Sequence, residues 1–305
     1  REVIKDYDFV EKSDIYNRLV GLEYDLISKG NLWNGRFFAY NSFSPLKKED
    51  GFSGGVRITR ESRKHKINIE YSYLGDDYRT DLGILRRIGA SKFAPFYEFT
   101  IFPKKGKINN ISFGFYYWLW FKLNTSSENI LENNFNIPIT LSLNNQSEIQ
   151  LMYRQAHQFF KRDFDPTGIN KDNPLIGGKI YKSNYLQIAY ESNPTEKFYF
   201  TFSHNYGMFY EGKKYSFENS LNLRVQPRLS ASMIINHDRI KLRHLNEYSK
   251  LWLVGPKIDY TFNKKLFWSN LIQFSKQSEN FGINSRLQWR FSGLSNLFLV
   301  FNDNY

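Results

Sequence analysis

Residues 198–210 read Phe-Tyr-Phe-Thr-Phe-Ser-His-Asn-Tyr-Gly-Met-Phe-Tyr, and every second position from Phe198 onward is aromatic, histidine or methionine. Residues 214–225 repeat the rhythm, because Phe217 and Leu221 stand between polar neighbours. Successive side chains of a β-strand point to opposite faces, so a period of two predicts strands with one apolar and one polar face. The sequence therefore predicts an all-β fold.

The same alternation recurs along the chain and predicts about sixteen strands of roughly 9 to 13 residues, a length that crosses a bilayer at a tilt. No convincing amphipathic helix remains between them. The predicted strands lie near residues 16–28, 31–44, 51–61, 66–75, 92–103, 109–122, 134–144, 147–160, 179–191, 196–210, 213–225, 228–238, 250–262, 265–276, 281–291 and 295–303.

The connections between these strands sort by length. Short links follow every odd strand, and longer ones mostly follow even strands, near 76–91, 123–133, 161–178 and 239–249. The link at 211–213 is the exception, because it is short on the long side. Outer-membrane barrels pair short periplasmic turns with longer external loops. We therefore expect an antiparallel transmembrane β-barrel in a bacterial outer membrane, with short turns periplasmic and long loops extracellular.

Composition narrows the alternatives. The chain has 305 residues and no cysteine, which excludes disulfides, thiolate metal sites and cysteine nucleophiles in this sequence. No run approaches the roughly 18 apolar residues of a membrane helix. The formal charge is +12, but the bases are dispersed and do not form one patch, so nucleic acid is not an expected partner. Aromatic residues make up 18% of the chain, which suits a membrane surface. Trp118 and Trp120 lie toward a predicted strand end, which suits a membrane girdle.

The width of the barrel decides which row of side chains faces outward. About sixteen strands enclose a lumen too wide for side chains to fill, so the polar row should face water and the apolar row lipid. A soluble core that packs the same rings between strands is the alternative. The predicted lipid-facing or girdle residues are Phe113, Phe115, Tyr117, Phe198, Phe200, Phe202, Tyr206, Phe217, Leu221 and Trp289. The predicted lumen-lining charged residues are Glu70, Arg154, Glu218, Arg224, Arg228, Arg286 and Arg290.

With the short turns in the periplasm, both ends of the segment would lie on the outer side. Single-chain bacterial barrels usually keep their termini in the periplasm. We therefore expect residues 1–305 to be a partial barrel domain, with at least one strand before it and a closing strand after it, and eighteen or more strands in the complete protein.

Two stretches carry a family resemblance. Residues 285–291 with 296–305, and residues 81–87 ahead of the strand that ends at Lys104, resemble a poorly characterised barrel family of Bacteroidota outer membranes. Where that family more often has a Pro-Gly-Ser-Asp turn, this chain has residues 292–296. The resemblance implies a carbohydrate-binding domain of the family-nine type ahead of the barrel, and it offers no catalytic residues to transfer.

Candidate chemistry along the chain is sparse. Asp163, Asp165 and Asp172 crowd one long loop and could offer oxygens to Ca²⁺, although they lack the EF-hand spacing. His204 lies in an apolar row without a second ligand at i±2, which favours an interfacial imidazole. A serine hydrolase carried by the barrel would need residues that converge in space and leave no local pattern. The sequence thus predicts no catalytic residues, no cofactor and no firm metal site.

Two functions remain open. The first is a non-enzymatic outer-membrane channel or transport component for a polar solute, peptide or glycan. The second is a non-conducting structural or interaction subunit of a larger outer-membrane complex. The expected partners are outer-membrane lipid and lipopolysaccharide, with other outer-membrane or periplasmic proteins as possible additional partners.

Overall fold

The computed structural model describes residues 16–45, 50–81, 85, 87–122, 130–170 and 172–305. These residues form one antiparallel sheet of sixteen strands in chain order, each 9 to 15 residues long. The strands are β1 (Arg18–Ile27), β2 (Trp33–Phe43), β3 (Phe52–Glu61), β4 (His65–Leu74), β5 (Ala90–Ile101), β6 (Ile108–Phe121), β7 (Ile130–Leu143), β8 (Glu148–Phe160), β9 (Lys179–Glu191), β10 (Phe198–Phe209), β11 (Gly212–Val225), β12 (Leu229–Lys241), β13 (Ser249–Asn263), β14 (Leu266–Ser275), β15 (Asn280–Arg290) and β16 (Asn296–Asn304). The predicted all-β class and strand number are confirmed.

The connections follow the predicted pattern. Links after odd strands span two to six residues, and the long connections include 75–89 and 161–178. Residues 210–211 and 276–279 are short links on the long side. Two predicted features lie partly outside the described residues. They are the stretch 81–87, with four of its residues, and one predicted long loop, with residues 123–129. The described part of the chain contains no helix that is long and apolar enough to cross a membrane.

The chain divides into two compact units. The first contains residues up to Thr100 together with Gly114–Asn136, and the second contains Ile101–Phe113 and Ile137–Tyr305. The first unit therefore holds β1 to β4, most of β5 and parts of β6 and β7. The second holds β8 to β16, the last residue of β5 and the remaining parts of β6 and β7.

Register separates the side chains into two faces. Residues directly opposite each other on antiparallel neighbours point to the same side. Glu218 of β11 lies opposite Ser203 of β10 and Asn236 of β12, and its neighbour Phe217 lies opposite His204 and His237. We call the side that contains Glu218 the polar face and the side that contains Phe217 the apolar face. The apolar face is largely uncovered, since Leu186 is 63% exposed.

The main buried cluster lies in the second unit, at the end of the strands where the long connections are. It consists of Leu175, Tyr181, Ile240, Leu242 and Leu251. Tyr181, Ile240 and Leu251 lie on the polar face, because they oppose Gln158, Lys214 and Asp238 respectively. Leu175 comes from the connection 161–178, which therefore folds back over the polar face.

Candidate functional site

The polar face of the first unit carries a ladder of paired charges. Glu70 of β4 lies at its centre with a side chain that is 17% exposed. Arg57 of β3 donates two hydrogen bonds to Glu70 Oε2, from Nε at 3.0 Å and Nη2 at 2.7 Å. Lys92 of β5 donates from Nζ to Glu70 Oε1 at 2.7 Å. One carboxylate thus compensates two cations from the strands on either side.

The ladder continues to the first strand. Arg36 of β2 donates to Glu23 of β1 and approaches Asp25 Oδ1 at 3.9 Å. The Tyr40 hydroxyl also donates to Glu23. The ladder, defined as Glu23, Asp25, Arg36, Arg57, Glu70 and Lys92, contains three carboxylates and three cations. Its charges balance, so the surface is strongly polar without favouring one sign of ion.

Two cavities open on this face among aromatic rings. A cavity of about 240 Å³ is lined by Arg36 and Arg57 with Phe38, Tyr40 and Glu70. The second cavity, of about 330 Å³, is lined mainly by Asn68, Lys92, Phe96, Tyr116, Trp118 and Trp120. Rings beside hydrogen-bonding and charged groups are the usual composition of a small-molecule site.

Trp118 and Trp120 lie near a strand end, where tryptophan is typical of a membrane girdle. The structure instead places them on the polar face of β6, because they are three and five residues from Phe115, which lies on the apolar face. Counting alternate residues from Phe115 would have predicted this face from the sequence.

Glycines let two of the other rings on this face lie against the backbone. A Cβ on Gly21 would collide with the Tyr40 ring, and a Cβ on Gly55 would lie 2.8 Å from the Phe38 ring. The ring centroids of Phe38 and Tyr40 are 5.4 Å apart. The two rings thus form a continuous aromatic surface next to the ladder.

In the second unit a loop, residues 161–178, folds over the polar face, and we call it the inward-folded loop. Its two arms pair through Phe164 and Leu175, whose backbone groups exchange hydrogen bonds of 2.9 and 2.8 Å. Its middle is tied to β13 by Asn170 Nδ2, which donates to Ser249 Oγ at 2.7 Å. His244 Nε2 lies 2.8 Å from the Asn173 carbonyl oxygen. The loop therefore has a fixed position over the polar face of this unit.

The acidic residues of this loop hold its own backbone. Asp165 accepts hydrogen bonds from the Thr167 amide at 2.8 Å, the Thr167 hydroxyl at 2.6 Å and the Asn170 amide at 2.6 Å. Asp163 Oδ1 accepts from the Gly177 amide at 2.7 Å. Burial acts to raise the pKa of Asp165, but these hydrogen bonds outweigh it and hold the pKa below the ordinary carboxyl range.

These hydrogen bonds bear on the Ca²⁺ hypothesis for Asp163, Asp165 and Asp172, which stays a prediction. The carboxylates of Asp163 and Asp165 accept hydrogen bonds from backbone amides of the loop, and Asp172 is exposed. Within the described ranges no three His, Asp or Glu side chains are grouped so that they could hold a metal ion. His204 lies on the apolar face in the middle of β10, with its ring 4.5 Å from that of Phe217.

Register also locates the charged residues predicted to line a lumen. On the polar face lie Glu70, Arg154, Glu218, Arg224, Arg286 and Arg290. Arg228 does not belong with them, because it lies in the turn between β11 and β12. All four arginines on the polar face lie over rings of the same face, among them Arg224 at 5.6 Å from Tyr199 and Arg286 at 4.3 Å from Phe298.

The predicted lipid-facing residues share the other face. Phe115 is placed there by its ring contacts with Tyr97 and Phe135, each at 6.4 Å. Phe113 and Tyr117 have the same parity in β6. The remaining predicted residues lie on this face by register: Phe198, Phe200, Phe202, Tyr206, Phe217, Leu221 and Trp289.

The solved structures similar to this chain include two of low identity. One is OccAB1 of Acinetobacter baumannii, with 11% identity, a TM-score of 0.48 and coverage of 94% of this chain and 90% of that chain. The other is the ferric-catecholate import receptor Fiu of E. coli K12 in its open form, with 8% identity, a TM-score of 0.39 and coverage of 91% and 66%. No similar sequence was found among curated proteins.

One protein family matches the sequence itself, over residues 17–250. The match spans β1 to β12 and reaches the start of β13, so it includes the charge ladder and the inward-folded loop. Because these residues make up well over half of the chain, the protein belongs to the family described as a domain of unknown function, DUF5916.

Proposed function

We propose that this chain forms a non-enzymatic β-barrel in a bacterial outer membrane and passes a polar solute, peptide or glycan along its polar face. In this proposal the apolar face contacts lipid, and the short turns lie in the periplasm. The resemblance to a Bacteroidota family with a neighbouring carbohydrate-binding domain stays a prediction beside it.

One observation carries the proposal: in strands of 9 to 15 residues, register separates a face with charged and polar side chains from a face with mainly apolar ones. Strands of this length span the hydrocarbon layer. An apolar face with Leu186 at 63% exposure and Leu221 at 43% is costly in water and favourable in lipid. The opposite face, with paired ions and cavities, suits contact with water and polar solutes.

A second function is favoured by the inward-folded loop. Its fixed contacts at Ser249 and in the cluster around Leu242 cover part of the polar face. A barrel in which such a loop closes the passage would conduct nothing and would serve as a structural or interaction subunit of a larger complex.

Single-channel conductance in a planar bilayer separates the two functions. The chain has no cysteine, so a single cysteine can be placed at will. We expect steady conductance from the purified protein. A bulky water-soluble thiol reagent should reduce it for Glu218→Cys but not for Phe217→Cys, because these neighbours lie on opposite faces. Silence of the intact protein, or equal block at both positions, would contradict transport and favour the structural role.

A further inference from the structure

Basic side chains interrupt the apolar face at one end of the second unit. They lie where β9, β11, β12 and β13 meet the long connections, and four of the five are exposed. We call them the outer-face cations: Lys182, Lys213, Arg239, Lys241 and Lys250. The apolar face at the short-turn end of β9 to β13 carries no cation, so the charge is confined to one end.

Register brings cations directly together. Lys213 lies opposite Lys241, and Arg239 lies opposite Lys250. Like charges directly opposite each other on neighbouring strands are destabilising. An arrangement that places two such pairs side by side calls for an anion that compensates them.

The protein itself does not supply this anion. Asp238, the nearest strand carboxylate, points to the polar face and binds Lys214 at 2.8 Å. Glu211 pairs with Arg243 at 3.6 Å. Throughout the described ranges, none of the outer-face cations takes part in a salt bridge. Arg239 and Lys241 instead share the ring of Tyr248, at 5.0 and 5.9 Å.

Aromatic residues fix the level of these cations relative to a bilayer. Tyr215 and Trp252 lie on the same face, each two residues further into its strand than Lys213 and Lys250. The His237 ring stacks on Trp252 at 3.9 Å. Tyrosine and tryptophan mark the membrane interface, so Lys213, Lys241 and Lys250 just beyond them lie at the depth of the lipid headgroups. Arg239 lies opposite Tyr215, at the interface itself.

From these four observations we propose that the outer-face cations bind the phosphate groups of a phosphorylated glycolipid, the lipopolysaccharide of the outer leaflet. Phosphate oxygens accept charge-assisted hydrogen bonds from several ammonium groups at once, and one phosphate group can neutralise a pair of opposed cations. The acyl chains of the same lipid would lie along the apolar face below Tyr215 and Trp252. This site rests on the proposed outer-membrane location, but it does not depend on conduction.

The test measures lipid binding to the full chain in detergent micelles by native mass spectrometry. The probe is deep-rough lipopolysaccharide, compared with the same lipid after enzymatic removal of its phosphates. The site variant is Lys213→Gln/Lys241→Gln/Lys250→Gln. The matched control, Lys197→Gln/Lys264→Gln/Lys265→Gln, removes three exposed lysines from short-turn connections of the same unit. We expect the affinity to fall about fivefold for each lysine of the site, roughly a hundredfold in total, and by less than about twofold in the control.

Equal losses in the site and control variants would overturn the proposal. Undiminished binding of the dephosphorylated lipid to the unaltered protein would also overturn it, and this arm needs no substitution. Equal affinity for phosphatidylglycerol or for inorganic phosphate would show that charge alone is recognised, which contradicts a glycolipid site. A protein that is silent in bilayers but binds the lipid as expected would leave this inference standing while the transport function fails.

Discussion

Glu70 links β3, β4 and β5 in the charge ladder, so replacing it should lower the free energy of unfolding. The size of the loss follows from the contacts of its carboxylate. Glu70→Gln keeps the shape but removes the negative charge that compensates Arg57 and Lys92. Three charge-assisted hydrogen bonds are affected, and each is worth about 1.5–3 kcal/mol when shielded from water. The Arg57 side chain is 55% exposed, which reduces its share, and the glutamine oxygen still accepts one bond. We therefore expect a loss of about 2 kcal/mol in the free energy of unfolding.

The assay is urea unfolding of the refolded protein in lipid vesicles, followed by tryptophan fluorescence. Glu61→Gln is the matched control, because Glu61 pairs with Lys66 at 3.5 Å with both side chains about half exposed. An exposed pair of this kind contributes less than about 0.5 kcal/mol. If the two variants lose the same stability, the ladder does not hold these strands together and the reasoning fails.

Three further predictions follow from the polar face, the loop and one close backbone approach. Glu70→Gln removes one of the three carboxylates of the ladder, so the reversal potential of a conducting protein should show higher anion selectivity. Glu61→Gln, further along the same face, should give a smaller shift. Asp165→Asn should expose the inward-folded loop to limited proteolysis at neutral pH, because the amide is a poorer acceptor for Thr167 and Asn170, whereas Asp172→Asn should not. Since the folded pKa of Asp165 is depressed, its stabilisation is present above the ordinary carboxyl value near 4 and is lost as the pH falls below it, so proteolysis of the unaltered loop should rise only in acid. Gly114→Ala should lower the folded yield, because its Cβ would collide with the Tyr97 carbonyl oxygen, whereas Gly293→Ala, with no atom within 4 Å, should fold normally.

Most of the fold could be predicted because each strand shows a local alternation of apolar and polar residues. The segments around Phe198 and Phe217 place their strands to within a few residues, and the short links after odd strands follow from the same spacing. Trp118 and Trp120 show the limit of position alone, since closeness to a strand end suggested a girdle while parity decides the face.

Lys182 shows the same limit. The residues around Lys182 in β9 alternate poorly, and its charge would favour the polar face, but the structure places it on the apolar face. Its partner across the strands is His157, which lies on the apolar face.

The rest of the site could not be predicted because its contacts are distant in sequence. Asn170 binds Ser249 across 79 residues, and His244 meets Asn173 across 71. A row of aspartates in a loop looks the same whether the carboxylates bind a cation or cap backbone amides. Only the fold of the loop shows that Asp165 does the latter.

The central claim is that the apolar face contacts lipid and the polar face contacts water, and spin-label accessibility along β11 tests it most directly. Single cysteines at each position from Lys214 to Val225, introduced into a chain without cysteine, would carry the label in reconstituted vesicles. The account predicts a period of two: high accessibility to oxygen at Phe217, Leu221 and Leu223, and high accessibility to a water-soluble nickel complex at Glu218, Ser220 and Asn222. Accessibility without this alternation, or with the two reagents exchanged, would contradict it.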